Sequence, residues 1–454
     1  MNKEIAMEDI VSLCKRRGFI YQGSEIYGGL SGTWDYGPLG VQLKRNISNA
    51  WWNFFVENRD DVYGLDAAIL MNQKVWQASG HVGGFNDPLV EDLKNKKRYR
   101  ADHLLEEKSV EDVSSMTSEQ MNEAIKTHNI KSPDGNELSE VRQFNMMFKT
   151  HIGALEDDSS ISYLRPETAQ GMFVNFKNVV DSFSPDMPFA MAQIGKAFRN
   201  EISPRDFIFR VREMEQMEIE VFAHPDNWRA VFDEWLALQK QFFMELGLPE
   251  EKIHHVEVPP ADRAHYSKYS IDTEFDFAIG QKELGGCAYR TDYDLSKHQE
   301  YSGKNLMYRP KDGAEPYVPH VIEPTVGLDR LVLAVIDSSY REDEQNGEKR
   351  IYLQLPVNLA PVRIAVSPLL KNKPELVAKA REVYDSLKKE FGNVMWDDNG
   401  NIGKRYRRQD EIGTPYCVVI DFDSLEDNSV TVRDRDTTEQ QRVRITDLTL
   451  RLQG

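Results

Sequence analysis

The stretch AFRNEISPRDFIFRVREMEQMEIEVF, Ala197 to Phe222, constrains the fold more than any other part of the chain. Its residues alternate with a period of two, the side-chain period of a β-strand. In the second half, one face carries Phe209, Val211, Glu213, Glu215, Met217, Ile219 and Val221. The other carries Arg210, Arg212, Met214, Gln216, Glu218 and Glu220. In the first half, Arg199 and Glu201 follow Gly195 and Ala197 on one face. Ser203-Pro204-Arg205-Asp206 between the halves is a turn-like cluster. The pattern predicts an antiparallel hairpin with one charge-rich face. Either that face meets water, or it is a floor on which a charged ligand lies.

Further strand-type patterns near Tyr163, Phe189, Phe275 and Val321 predict a large antiparallel sheet with flanking helices, an α+β body. Pro38, after Gly37, opens a helical pattern with Leu43, Ile47, Trp51 and Phe54 at helical spacing. That helix reads as core, with a subunit contact as the alternative. Residues 87–158 are polar, rich in Lys, Glu and Ser, with a turn at Ser132–Gly135, and read as an insertion. Near Leu355 two prolines mark a linker. A strand over Val362–Val366, a helix over Pro374–Phe391 and strands near Val394 and Tyr416 follow. This alternation predicts a separate α/β domain. The division is 1–355 for the body, 87–158 for the insertion within it, and 356–454 for the second domain.

The length of 454 residues suits two or three domains. The net charge of -18 opposes indiscriminate binding to DNA or other nucleic acid, though it permits a local basic patch. The run Gly403–Arg408, GKRYRR, is such a patch or simply a solvated surface. No apolar run is long enough for a membrane span, and the N-terminus reads as a short amphipathic helix without a signal-peptide core. Three scattered cysteines, Cys14, Cys287 and Cys417, point to the reducing cytoplasm.

With these patterns placed, Phe198–Glu201 and its returning strand resemble motif 2 of the class II aminoacyl-tRNA synthetases. PTVGLDRLVLAVI from Pro324 resembles motif 3, and the helix after Pro38 sits where motif 1 belongs. GSEIYGGLSGTWDYGPLG, LRPETAQG, EISPRDFIFRVREMEQMEIE and VIEPTVGLDR are similar to stretches of the dimeric bacterial and eukaryotic glycyl-tRNA synthetases. GKRYRRQDEIGTPYCVVID resembles the anticodon-binding domain shared by the synthetases for glycine, threonine, proline and histidine. The resemblance covers nearly the whole chain.

It implies activation of glycine by ATP to glycyl-adenylate, then transfer to the 3′ end of tRNA(Gly), by a cytoplasmic homodimer. The attacking carboxylate is already anionic, so such chemistry needs positioning and charge neutralisation rather than a general base. The resemblance assigns Arg199 to the α-phosphate, Arg330 to the γ-phosphate, Arg210 or Arg212 to the triphosphate, and Glu201 to the adenine side. Arginine forks onto two oxygens and is always charged, which suits these roles. The same stretches extend the ATP contacts to Asn200, Phe209, Val211, Glu213, Met214, Leu284, Gly327, Leu328 and Asp329. Glu283 is the implied Mg²⁺ ligand. Glu167, Glu218 and Glu323 are assigned to the glycine ammonium, with Arg100 and Arg290 nearby. Glu215, Gln216, Met217, Pro324, Thr325 and Val326 complete the implied glycine contacts, with Met214 and Gly327 shared. Arg100 alternatively belongs to an exposed basic run. Arg405, Tyr406, Arg407 and Arg408 are implied at the tRNA, some touching it and some bracing the domain.

Three departures from the family pattern stand out. Met214 replaces a phenylalanine that stacks on adenine; its sulfur can still pack on a ring. Thr325 replaces serine, keeping the hydroxyl and adding a methyl. The insertion lacks the zinc-type cysteine pairs of many relatives, and His103, His128 and His151 form no ligand set, so no structural zinc is expected. Two rival readings exist. A threonine- or proline-type synthetase is opposed by the glutamates and Glu323-Pro324-Thr325. A non-catalytic accessory subunit is opposed by Arg199, Glu201, Glu283 and Arg330.

Overall fold

A computed structural model describes residues 5–110, 113, 116–154, 156–345 and 347–453. Helix α1, Met7–Arg17, has acids in its first turn, bases in its last and Gly18 in the left-handed region at its end. It buries Ile10, Leu13 and Cys14. Met1–Glu4 of the N-terminal pattern lie outside the described residues. Helix α2, Pro38–Trp52, starts at its proline and buries Gly40, Leu43, Ile47 and Trp51. A methyl on Gly40 would overlap the Phe19 carbonyl, so only glycine lets the two backbones meet.

Strand β1 is Val62–Gly64. In the insertion, β2 (Asn86–Glu91) pairs with β3 (Arg98–Arg100) and with a later strand, and helices α3 (Ala101–Glu106) and α4 (Ser118–Thr127) pack on them. That third strand is β4, Arg142–Asn145. Val90, Ala101, Leu104, Leu105, Met121, Ile130 and Val141 give this unit an apolar core of its own. Next come α5 (Ala169–Phe183), β5 (Phe189–Phe198), β6 (Glu213–Ala223), α6 (Trp228–Glu245), β7 (Ile253–Glu257) and β8 (Tyr269–Phe277). They are followed by β9 (Gly280–Thr291), α7 (Tyr293–Ser302), β10 (His320–Gly327) and α8 (Leu328–Ser339).

Seven strands form one sheet in the order β7-β8-β9-β10-β6-β5-β1. All neighbours are antiparallel except β1 with β5. Met217, Ile219 and Val221 enter the main core with α2, α6 and α8. Burial of each such side chain stabilises by about 1.5–3 kcal/mol. The opposite face, bearing Gln216, Glu218 and Glu220, lies on the side where α5 packs through Phe173 and Phe176 against Phe189 and Phe222.

The hairpin differs from the sequence expectation at its tip. β5 ends at Phe198 and β6 begins only at Glu213, so Phe209 and Val211 lie in a loop rather than on a strand. Phe207, Ile208, Phe209 and Val211 are buried there, and Phe207 meets Trp34 edge-on at 4.8 Å. Plugging apolar side chains into the core is a stronger term than continuing a ladder whose partner has ended. The strand at Tyr163 is also separate from the main sheet; it pairs Ile161–Tyr163 with Lys149–His151.

Strands β11 (Tyr340–Gln345) and β12 (Glu348–Leu353) form a hairpin leading to the C-terminal unit. There β13 (Ile364–Pro368), α9 (Pro374–Phe391), β14 (Val394–Trp396), α10 (Ile402–Glu411), β15 (Tyr416–Ile420), β16 (Ser429–Asp434) and β17 (Gln440–Arg444) follow in turn. The five-stranded order is β14-β13-β15-β16-β17, parallel at its first half and antiparallel at its second. The proline-containing segment is not a free linker. Leu355, Leu359 and Val362 are buried in the main core. Arg435 donates to the Leu355 carbonyl at 2.9 Å, and buried Arg350 spans Asp343 and the Arg435 carbonyl.

Candidate active site

The polar face of the hairpin is buried. Glu218 pairs with Gln193 on β5 and with Thr325 on β10, and Gln216 with Gly195 and Gly327. Small residues on the neighbours leave room above the sheet. A cavity of about 270 Å³ fills that room, lined by Arg199, Glu201, Arg210 and Arg330 together with Glu167, Glu218, Glu323 and Thr325.

Its acidic end is a connected set. The Glu218 carboxylate accepts hydrogen bonds from the Thr168 amide at 3.0 Å, the Gln216 side chain at 3.0 Å and the Thr325 hydroxyl at 3.3 Å, and the Thr168 hydroxyl also contacts it. Glu167 accepts from Gln170 at 2.9 Å and faces His81 Nε2 at 3.3 Å. Arg290, which is 1% exposed, forks onto Asp294 at 2.7 and 2.9 Å and reaches Glu323 at 2.8 Å. Burial pushes the Glu323 carboxyl up to about 8, against the pull of Arg290. Burial and the Glu167 charge raise Glu218 as well. Burial also opposes ionisation of Glu167, but His81, Arg290 and Gln170 outweigh it and hold that carboxyl well below the ordinary range. Glu220 lies next on that face of β6, fully buried, with neither carboxylate oxygen hydrogen-bonded among the described residues. Burial and Glu323 drive its pKa far up.

The other end is cationic. Arg199 Nε donates to the Pro166 carbonyl at 3.1 Å, and its guanidinium lies over the Phe85 ring at 5.6 Å. Arg330 lies over Phe209 at 4.5 Å and pairs with Glu283 at 3.0 Å. Three buried polar atoms on the wall, Glu201 Oε2, Arg210 Nη1 and Gln216 Oε1, have no hydrogen-bond partner among the described residues. Unsatisfied buried groups are costly, so such atoms mark where a polar ligand completes the bonding. The site therefore offers carboxylates for a small cation at one end and guanidinium groups for anionic oxygens at the other.

Phe209, Val211, Met214, Leu284, Val326, Gly327 and Asp329 also line the cavity. Asp329 serves as a brace, accepting from the Tyr36 hydroxyl at 2.6 Å and the Glu215 amide at 2.8 Å. Several expected residues point elsewhere. Met217 and Leu328 belong to the apolar core on the far face. Arg212 does not reach the cavity: it holds the loop by donating to the Glu201 and Ser31 carbonyls, which leaves Arg210 as the cation of that pair on the wall. Glu213 pairs with Lys196 at 2.9 Å, and Glu215 pairs with Lys44. Asn200 is tied by its amide to the Met146 carbonyl, and Pro324 is a buried strand residue. Lys94 to Arg98 form an exposed basic run, but Arg100 beyond it is held by Asp87 at 2.8 Å and by Asp102. Arg290 stands behind the carboxylates rather than on the cavity wall.

Sequence reasoning missed His81, Gln170, Tyr266 and Asp294. Asp294 follows Arg290 by four residues, a readable ion-pair spacing. Gln170 follows Glu167 by three residues within LRPETAQG, so its position was readable too. His81 and Tyr266 come from distant segments that carry no local signal.

In the C-terminal unit the basic run lies on α10, capped by the Asn401 side chain. Arg405 is buried and donates to the Pro368, Asp398 and Gly400 carbonyls, so it braces the domain and presents no free donor face. Arg408 pairs with Asp397 at 2.6 Å and also borders the neighbouring cleft. Tyr406 and Arg407 line a cleft of about 810 Å³ together with Arg17, Arg350, Lys404 and Arg433. Among the described residues, no group of three His, Cys, Asp or Glu side chains is arranged to hold a metal ion, and no helix is long and apolar enough to cross a membrane.

A family model described as the tRNA synthetase class II core domain (G, H, P, S and T) matches residues 148–339, and one described as an anticodon binding domain matches residues 363–453. The fold is similar to that of Giardia lamblia prolyl-tRNA synthetase in complex with prolyl-adenylate, with a TM-score of 0.67 at 15% identity, covering 98% of this chain and 75% of that one. Antiparallel sheet, arginine-lined cavity and C-terminal α/β unit together define a class II aminoacyl-tRNA synthetase. The chain is 48% identical over 452 residues to a glycine–tRNA ligase of Caldanaerobacter subterraneus, covering 98% of this chain and 97% of the relative. It is 49% identical over 457 residues to that of Clostridium tetani, covering 99% and 98%. It belongs to the glycine–tRNA ligase family.

Proposed function

We propose that the 270 Å³ cavity is where this ligase activates glycine with ATP before charging tRNA(Gly). The observation that carries this reading is the juxtaposition, in one cavity, of Glu167, Glu218 and Glu323 with Arg199, Arg210 and Arg330. Glycine's ammonium is held by the carboxylates. Its carboxylate then points toward Arg199, which neutralises the α-phosphate as the carboxylate oxygen bonds to the α-phosphorus and the α–β phosphoanhydride bond breaks, with pyrophosphate leaving. Arg330 and Arg210 hold the outer phosphates, and the open Glu201 oxygen accepts from the adenine amino group. Catalysis is positioning plus charge compensation, with no proton to remove from the nucleophile. Met214, on the wall, packs against the substrates through its flexible thioether.

Magnesium suits the oxygen donors at the arginine end, where the Glu283 carboxylate is half-exposed. Glu283 would hold the ion, which when bound neutralises phosphate charge. The insertion is read as held without structural zinc, a reading its own apolar core supports.

For tRNA, the reading places the anticodon stem-loop at the C-terminal domain, residues 356–454, with Arg407 for phosphate or base edges and Tyr406, whose ring carries Arg433 at 4.7 Å, beside it. The body is residues 1–355, interrupted by the insertion at 87–158. A homodimer with α2 near its interface and a cytoplasmic location complete the proposal; the free, buried cysteines suit a reducing compartment. ATP–pyrophosphate exchange with each standard amino acid tests the core claim. Exchange with glycine alone supports it. Exchange with another amino acid overturns the glutamate assignment, and none from a folded sample overturns the catalytic reading.

A further inference from the structure

Tyr266 stands between two cavities. It lines the 270 Å³ site and also a neighbouring cavity of about 240 Å³, and Glu323, Thr325 and Glu283 border both. Its ring lies on the Arg290 guanidinium at 3.6 Å, and Phe173 packs toward the same guanidinium at 5.2 Å. Burial raises its hydroxyl pKa far above the ordinary value; Arg290 opposes this, and Glu323, Glu167 and Asp294 add to it. The ring thus sits among the groups read above as the glycine site.

The loop that carries it, between β7 and β8, is pinned. Arg263 Nε donates to the Val258 carbonyl at 2.9 Å, the Lys268 amide to the Tyr289 carbonyl at 2.9 Å, and the Ser267 hydroxyl to the Tyr269 carbonyl at 3.0 Å. The strand beneath contributes little bulk. β9 runs Gly285-Gly286-Cys287-Ala288 here, and a methyl on Gly285 would come within 2.6 Å of the Thr325 carbonyl. The second cavity is bordered by Gly286 and Ala288, so bulk at the shared boundary comes from Glu283, Glu323, Thr325 and Tyr266, of which Tyr266 alone brings a ring.

Glycine offers no side chain to recognise, so selectivity must come from refusing space to larger substrates. An attractive pocket distinguishes one methylene by only about 1–3 kcal/mol, whereas a rigid wall imposes a clash. We propose that Tyr266 is a specificity-determining residue: its ring partitions the two cavities and closes the space that a substrate side chain would enter. This rests on the glutamate set being the ammonium site.

The test is ATP–pyrophosphate exchange by the full-length protein with glycine, L-alanine and L-serine, for Tyr266→Ala, Tyr266→Phe and Tyr266→Leu. The readout is the ratio of kcat/KM for alanine to that for glycine. Tyr266→Ala should raise this ratio at least ~10-fold, the range open to a single methyl contact. Tyr266→Phe, which keeps the ring, should retain the wild-type ratio, and Tyr266→Leu should fall between. The Arg290 fork on Asp294 is made without Tyr266, so the carboxylates are expected to stay anchored in each variant. If Tyr266→Ala is too unstable to assay, Tyr266→Leu supplies the same comparison. An unchanged ratio in the smaller variants overturns the proposal. Glu218→Gln separates the premises: if it leaves the glycine KM at the wild-type value, the ammonium-site reading falls; if it raises that KM while Tyr266→Ala stays selective, only the partition falls.

Discussion

Arg330 Nη1 and Glu283 Oε2 face each other at 3.0 Å, so the proposed γ-phosphate ligand and the proposed magnesium ligand neutralise one another before substrate arrives. Partial burial opposes ionisation of Glu283, but Arg330 outweighs it and lowers its pKa. Binding of ATP with its cation must exchange this pair for two new ones. Glu283→Gln therefore has two effects of opposite sign. It frees Arg330 for phosphate but removes an anionic ligand from the cation. The expected outcome is a rise of roughly tenfold in half-saturating Mg²⁺, with little loss of ATP affinity at saturating Mg²⁺. Exchange assays titrated with Mg²⁺ at fixed ATP check it.

Arg199 contributes little to the fold. Its side-chain hydrogen bond is to the Pro166 carbonyl, and its guanidinium rests on Phe85. Arg199→Ala should leave the melting temperature within a few degrees of wild type. Adenylate formation should fall by about 10²–10³-fold or more, the scale of removing one preorganised charge partner from a transition state. Wild-type exchange rates in that variant would remove Arg199 from the mechanism.

The buried carboxylates predict a pH dependence of glycine binding. Glu323, raised to about 8 by burial, is neutral below that pH, and Glu218 is raised too. The glycine ammonium favours their ionised forms, so binding below pH 8 releases a proton. The glycine KM should rise as pH falls from 8 toward 6, by up to about tenfold per unit for one proton, while kcat changes less. Stability runs the other way. A carboxyl whose folded pKa is raised supports the fold most below its unfolded value, and that support is lost as pH rises toward its folded value. Glu220, raised far above the ordinary value, contributes such a slope of about 1.4 kcal/mol per unit at most. Glu220→Gln should flatten the decline in denaturant midpoint between pH 6 and 9. An equal decline in both proteins would show that Glu220 ionises in the fold.

The alternation from Glu213 to Val221 was legible because one period persists through a strand buried on both faces. Its meaning was not, since a glutamate facing water and one facing a buried cavity read alike. The loop at 199–212 misled because Phe207, Ile208, Phe209 and Val211 imitate a strand while serving as plugs. Helix α10 carried its cap in Asn401, but its cations concealed which face is buried; Arg405 and Gln409 turn inward and Tyr406 and Arg407 line the cleft. His81 and Tyr266 reach Glu167 and Arg290 through tertiary folding alone. Only the assembled sheet brings them together.

That sorting of α10 gives a prediction that separates bracing from recognition. Arg405 is 3% exposed and satisfies carbonyls of Pro368, Asp398 and Gly400. Arg405→Ala leaves those acceptors unpaired and a cavity where the side chain lay, so the domain should lose about 2–4 kcal/mol of stability. Arg407 lines the open cleft, with a weak partner in Glu348 at 3.5 Å. Arg407→Ala should leave melting and ATP–pyrophosphate exchange near wild type while raising the KM for tRNA(Gly) several-fold, with a shallower salt dependence. Thermal unfolding, exchange and aminoacylation measured on both variants distinguish the roles. If Arg407→Ala charges tRNA(Gly) with unchanged KM across salt, the cleft is not the tRNA surface, whatever Arg405→Ala does to the melting curve.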